Sequence, residues 1–183
     1  ELGRAREESE RPPVMLVDPI LGDAPKGLYV SAAVATAVAD RLVPLADWIT
    51  PNLWELGHLT GAPLESAGAA VEAARRLGKP ALVTSVPAGP DEIGLLLVRP
   101  DDATLFAHPR LPQALSGTGD LVTASFGAGL VQGMEPAAAA ERAARAASEA
   151  ARAAQDWRAP ELPIVALGQR LVRPAAPVRI ERL

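Results

Sequence analysis

Ser116-Gly117-Thr118-Gly119-Asp120 joins the end of one apolar segment to the start of a Gly/Ala-rich helix. Two glycines and a threonine let the backbone curl until several N–H groups point into one concavity. A helix beginning there adds the positive end of its dipole, which makes a seat for an anion such as a phosphate. Asp120 is out of place in a seat that only binds anions, because it repels them. It makes sense where a carboxylate takes a proton from a hydroxyl that then attacks a bound phosphate. The plainer alternative is a Gly-x-Gly turn with an acid compensating the helix dipole, and the loop alone does not separate the two.

Upstream of this loop, strand patterns alternate with helix patterns. Val14–Val17 is a continuous apolar run, as expected of a strand buried on both faces of a parallel sheet, and it ends in Asp18-Pro19 before a loop at Ile20–Gly27. Val30–Leu42 reads as a helix, and Ala46–Thr50 as a strand stopped by Pro51. Asn52–Thr60 is a short helix with Gly61 beyond it, Glu65–Leu77 a helix ending at Gly78, and Pro80–Ser85 a third strand. Gly94–Arg99 and Thr104–His108 form a β-hairpin about Pro100-Asp101-Asp102-Ala103. Gly119–Gln132 is the helix after the loop, and Pro136 opens an Ala-rich helix running to about Trp157. Leu162–Leu183 reads as a Pro-punctuated tail with one helical turn or two.

This alternation predicts an α/β fold with a mostly parallel sheet. Ligands of such sheets bind at the carboxyl ends of the strands, where Asp18, Thr50, Thr84, Ser85 and the Gly117–Asp120 loop all fall.

Composition narrows the function. The 183 residues suffice for one domain with a core, built from Leu, Val, Ile and Ala because aromatics are only 3%. A net charge of −4 without a basic block argues against a nucleic-acid surface. The absence of cysteine excludes disulfides and thiolate metal sites. No apolar run approaches a membrane span and nothing resembles a signal peptide, so a cytoplasmic protein with no membrane partner is the expectation.

Four motifs in order carry a family resemblance: Asp18-Pro19-Ile20-Leu21-Gly22-Asp23, Thr50-Pro51-Asn52-Leu53-Trp54-Glu55, Val83-Thr84-Ser85 and Ser116–Asp120. Together they resemble pyridoxal kinase, of the ribokinase-like superfamily, from about Val14 to Arg173. The resemblance implies a three-layer α/β/α fold, with the chain as a single partial kinase domain over residues 1–183. It implies ATP-dependent phosphorylation of pyridoxal, with pyridoxine and pyridoxamine as further substrates, and a homodimer.

By the same resemblance Asp120 is the catalytic base, and Gly117, Thr118 and Gly119 form the anion hole for the transferring phosphoryl group. Asn52 and Glu55 help hold Mg²⁺, Glu55 through water. Asp18, Thr50 and Thr84 line the ATP phosphates and a monovalent-cation site (K⁺ or Na⁺), while Asp23 and Ser85 lie near the phosphates. Hydroxymethylpyrimidine kinases share much of this pattern but usually carry Cys where Asp120 stands and lack the Gly22-Asp23 pair.

Each residue also has a plainer role. Asn52 suits the N-cap of the helix that follows, with Glu55 completing a capping box. Asp18 and Asp23 suit turns, and Thr84 and Ser85 can satisfy backbone at a strand end. His58 and His108 read as ordinary residues rather than ligands. Trp48, Trp54 and Trp157 read as core or interface anchors, and the arginines from Arg142 to Arg152 as a solvated helix face.

The family's chain is longer at its N-terminus, where it supplies the first strands and most of the pyridoxal pocket. The expectation is therefore that Glu1–Leu183 is part of a longer protein. A truncated, non-catalytic nucleotide-binding or interaction module, or a kinase for a related hydroxymethyl heterocycle, are the alternatives.

Overall fold

The structure, a computed structural model, describes residues 13–111 and 116–183. The charged segment Glu1–Pro13 therefore lies, but for Pro13, outside the described residues. Strand β1 (Leu16–Val17) is followed by a small antiparallel pair, β2 (Gly22–Asp23) and β3 (Gly27–Leu28), where a plain loop was expected. Then come α1 (Ala32–Ala37), β4 (Trp48–Ile49), α2 (Leu53–Thr60) and α3 (Ala67–Leu77). Strands β5 (Ala81–Gly89), β6 (Glu92–Val98) and β7 (Ala103–Pro109) precede α4 (Thr118–Val131) and α5 (Pro136–Asp156). Short helices α6 (Ile164–Leu167) and α7 (Gln169–Val172) lead to a last strand, β8 (Arg179–Arg182), where the sequence had suggested only a tail.

The main sheet has the order β1-β4-β5-β6-β7-β8. Only β1, β4 and β5 run parallel, and the remaining pairs are antiparallel, so the sheet is mixed rather than mostly parallel. The cause is connection length. Parallel neighbours need a long crossover, supplied here by α1 and by α2–α3, whereas the short turns after β5 and β6 can join only antiparallel neighbours.

The helix expected over Val30–Leu42 is also shorter. Ser31 caps α1, but the chain widens to a π-helical stretch at Val38–Leu42 and tightens to a 3₁₀ turn at Val43–Leu45 around Pro44.

Side-chain alternation builds the three layers. Ala81, Val83, Leu96, Val98 and Leu105 face α2 and α3, packing with Leu56, Val71 and Ala74. Leu82, Leu95, Leu97 and Phe106 face α4 and α5, packing with Val122, Phe126, Ala139 and Ala143. Trp48 meets Phe126 edge-on at 5.2 Å, so it is a core residue as expected.

Alanine lets α5 approach α4 closely: a Cβ on Gly129 would lie 2.7 Å from the Cβ of Ala139. Arg142 and Arg145 do not form a merely solvated face. Arg142 Nη2 donates to the Ser125 carbonyl at 2.7 Å, tying α5 to α4, and Arg145 Nη1 donates to the Ala176 carbonyl at 2.8 Å.

Candidate active site

The parallel half of the sheet aligns the predicted residues at one edge. The Thr50 amide donates to the Val17 carbonyl at 3.0 Å, and the Thr84 amide to the Pro51 carbonyl at 2.9 Å. These bonds extend the ladder past β1 and β4 and bring Asp18, Thr50 and Thr84 into neighbouring positions, although β5 runs on to Gly89 and so holds Thr84 and Ser85 within the strand rather than at its expected end. Thr50 and Thr84 are buried, at 3% and 8% exposure, so their hydroxyls work within the fold rather than in bulk water.

A residue the sequence reading missed completes this cluster. The Thr123 hydroxyl, on α4, lies 2.9 Å from Asp18 Oδ2 and 2.9 Å from Thr50 Oγ1. Its spacing was the available signal, because three residues after Asp120 is the same helix face. Burial, the largest influence, raises the Asp18 pKa above the ordinary carboxylate range. The hydrogen bond from Thr123 opposes this, and the negative charge of Asp120 adds to it.

Two carboxylates that feel one another across a partly buried edge suit an oxygen-seeking cation, so the residues fit Mg²⁺ or a monovalent ion. Among the described residues no group of three or more His, Cys, Asp or Glu side chains could hold a metal. A cation here would thus draw ligands from hydroxyls, carbonyls, water or phosphate as well.

Asn52 and Glu55 form the expected capping box. Asn52 Oδ1 accepts from the Glu55 amide at 2.8 Å, and Glu55 Oε2 from the Asn52 amide at 2.8 Å. They also reach across to β2. Glu55 Oε1 accepts from the Leu21 amide at 2.7 Å and the Gly22 amide at 3.3 Å, and Asn52 Nδ2 donates to the Gly22 carbonyl at 2.8 Å. Burial is the main cause of the raised Glu55 pKa, and these three amides hold it down. Only glycine fits at position 22, where a Cβ would lie 2.2 Å from the Gly27 carbonyl oxygen and 2.6 Å from the Trp54 ring.

Helix α4 starts as the sequence predicted. Gly117, its N-cap residue, has φ 88°, the left-handed region that favours glycine, and offers no capping side chain. The first-turn amides point out of the helix end. Asp120 is exposed in that turn, and nothing comes within 4 Å of a Cβ built on Gly119.

Ser85 has φ 61°, unusual for a residue with a side chain, and it sits where the β5–β6 register breaks. It is exposed and lines a cleft of about 480 Å³ with Asp23, Asn52, Trp54 and His58. The structure thus groups the predicted residues twice: Asp18, Thr50 and Asp120 about Thr123, and Asp23, Asn52 and Ser85 along the cleft. His58 stacks on Trp54 at 5.4 Å, and burial lowers the His108 pKa.

A three-layer sheet with polar side chains at its parallel strand ends, facing a glycine-started helix, defines a ribokinase-like fold. Pyridoxal kinase from Entamoeba histolytica has this fold at a TM-score of 0.87 and 27% identity, over 100% of this chain and 66% of its own. Pyridoxal kinase from Leishmania donovani, solved with ADP and pyridoxamine, matches at a TM-score of 0.86 over 100% and 68%; at 22% identity that likeness is one of fold.

The chain belongs to the phosphomethylpyrimidine kinase family, which matches residues 4–164. Its relatives include pyridoxal kinase PdxY of Leifsonia xyli, 44% identical over 126 residues, which are 65% of this chain and 44% of the relative. The pyridoxine/pyridoxal/pyridoxamine kinase of Bordetella avium is 42% identical over 154 residues, 79% of this chain and 52% of the relative. The chain spans about half the length of these curated relatives.

Proposed function

We propose that this chain supplies the nucleotide-binding and catalytic part of a kinase that transfers the γ-phosphoryl group of ATP to the 5′-hydroxyl of pyridoxal. Pyridoxine and pyridoxamine share that hydroxyl and are included in the proposal. The observation that carries it is Asp120 in the first turn of a helix that starts at a left-handed glycine, opposite Asp18 and Thr50.

Asp120 takes the proton of the attacking hydroxyl. The amides of Gly117, Thr118 and Gly119 stabilise charge on the phosphoryl group as it transfers. Thr84, Ser85 and Asp23 border the nucleotide phosphates, and Asn52 and Glu55 fix the β2 segment beside them. Mg²⁺, held near Glu55 through water, would neutralise phosphate charge. Asp18, Thr50 and Thr84 would hold a K⁺ or Na⁺ ion. Support comes from relatives named pyridoxal kinases and from the Leishmania structure, which contains ADP.

A coupled assay of ADP release, with and without pyridoxal and Mg²⁺, tests this. We expect pyridoxal-dependent release in the complete protein. Asp120→Asn should lower kcat by roughly 10²–10⁴-fold with little change in ATP affinity, the range for losing a general base. Wild-type turnover in that variant refutes the assignment, and ATP binding without pyridoxal-dependent turnover favours a non-catalytic module.

The family's description favours one second reading, a hydroxymethylpyrimidine substrate, which a substrate profile decides. A cytoplasmic homodimer is part of the proposal, and light scattering of the purified protein tests the dimer. No helix of the described residues is long and apolar enough to cross a membrane.

A further inference from the structure

Helical threonines ordinarily turn their hydroxyl back onto the preceding turn, as Thr60 at the end of α2 does in bonding the Leu56 carbonyl at 2.7 Å. Thr123 instead reaches off its helix. Its oxygen lies 2.9 Å from the Asp18 carboxylate and 2.9 Å from the Thr50 hydroxyl, partners 105 and 73 residues away in the chain. One atom therefore joins α4 to the ends of β1 and β4.

An ionised carboxylate only accepts hydrogen bonds, so Thr123 gives its single proton to Asp18 and accepts the proton of Thr50. The proton order fixes what each group has left over. Thr50 keeps both of its oxygen lone pairs, and Asp18 keeps the acceptor capacity left beyond its bonds from Thr123 and the Ile20 amide.

We propose that Thr123 is a positioning residue, whose hydroxyl holds Asp18 and Thr50 in fixed register with Asp120, one turn earlier on the same helix. This rests on the kinase reading of the site. Asp120 cannot shift along the sheet edge without carrying Thr123, and Thr123 cannot move without releasing both strand ends. The spacing between the base and the cation-facing oxygens is thereby set by a side chain that touches neither substrate.

The test compares Thr123→Val, which keeps the shape and removes the hydroxyl, with Thr123→Ser, which keeps the hydroxyl, in the full-length protein. For Thr123→Val we expect kcat to fall about ten-fold while KM for ATP and pyridoxal stays within about two-fold, because positioning acts on the reacting geometry. We expect Thr123→Ser to return kcat to within about three-fold of wild type. The second readout needs no turnover: the KCl concentration giving half-maximal thermal stabilisation in the presence of ADP, with choline chloride as control. It should rise several-fold in Thr123→Val only.

Wild-type kcat and wild-type KCl midpoint in Thr123→Val overturn the proposal and leave the kinase reading standing. A wild-type protein without pyridoxal turnover sinks the kinase reading, and the KCl midpoint then decides Thr123 by itself. A wild type with neither turnover nor KCl stabilisation overturns both. Equal losses in Thr123→Ser and Thr123→Val also overturn it, since they mark a packing role.

Discussion

Glu55 shows how a single side chain serves both fold and site. Its two oxygens accept from three amides, in surroundings that leave the residue only 3% exposed. Removing the acceptor leaves buried donors orphaned at about 1–3 kcal/mol each, so Glu55→Ala should destabilise by on the order of 3 kcal/mol. Glu55→Gln should lose less, because its one oxygen can still serve Leu21 and Gly22. Urea denaturation of both variants checks the order, and a Gln variant as weak as the Ala variant contradicts it. The Asn-x-x-Glu spacing announced the capping box. It could not announce that the same carboxylate reaches 34 residues back to the Leu21 amide, because that bond depends on where the sheet places β2. Thr123 was missed for a related reason. A threonine in a helix looks alike whether it bonds its own backbone or a distant strand.

At the scale of elements, α4 and α5 are held by smallness. A Cβ on Gly129 would meet the Ala139 Cβ at 2.7 Å, closer than methyl groups pack. Gly129→Ala should therefore cost about 1–3 kcal/mol by overpacking, although alanine favours helix by up to about 1 kcal/mol. Thermal unfolding tests this, and a stabilised variant would show that the helices part freely. Helix starts and stops were legible because Asn52, Gly61, Gly78 and Pro136 each act through local backbone chemistry. The end of α1 was not. Nothing in Val38–Leu42 breaks a helix locally, and the widened turn there arises in the approach to Pro44. The β6–β7 hairpin was legible from its turn, but the direction of β6 against β5 was not, since the run Leu95–Val98 is buried on both faces in an antiparallel pair just as it would be in a parallel one. The break at Ser85 left no local mark either, for serine is ordinary in a regular strand.

At the scale of the whole molecule, the two halves of the sheet divide the labour. The antiparallel half, β5 to β8, contributes most of the apolar strand surface, and Arg179 fastens its last strand to Glu92 at 2.7 Å and to the Ala88 carbonyl at 2.9 Å. The parallel pairings β1-β4-β5 place the candidate site, with Asp18 and Thr50 just past the ends of β1 and β4 and Thr84 inside β5 at its register break. That division has a consequence in time. The hairpins close over short loops, Gly89 pairing with Glu92 and Val98 with Ala103, whereas Thr123 must find Asp18 across 105 residues. Closing long loops costs entropy before any contact rewards it, so local hairpins form early and distant pairings late. Pulse-labelled hydrogen exchange during refolding should find the amides of β6 and β7 protected before those of Leu21 and Thr50, and the reverse order would contradict this. On the proposed reading of Asp120, the geometry for proton transfer would then form only at the last stage of folding, and partly folded molecules would carry the scaffold without the site.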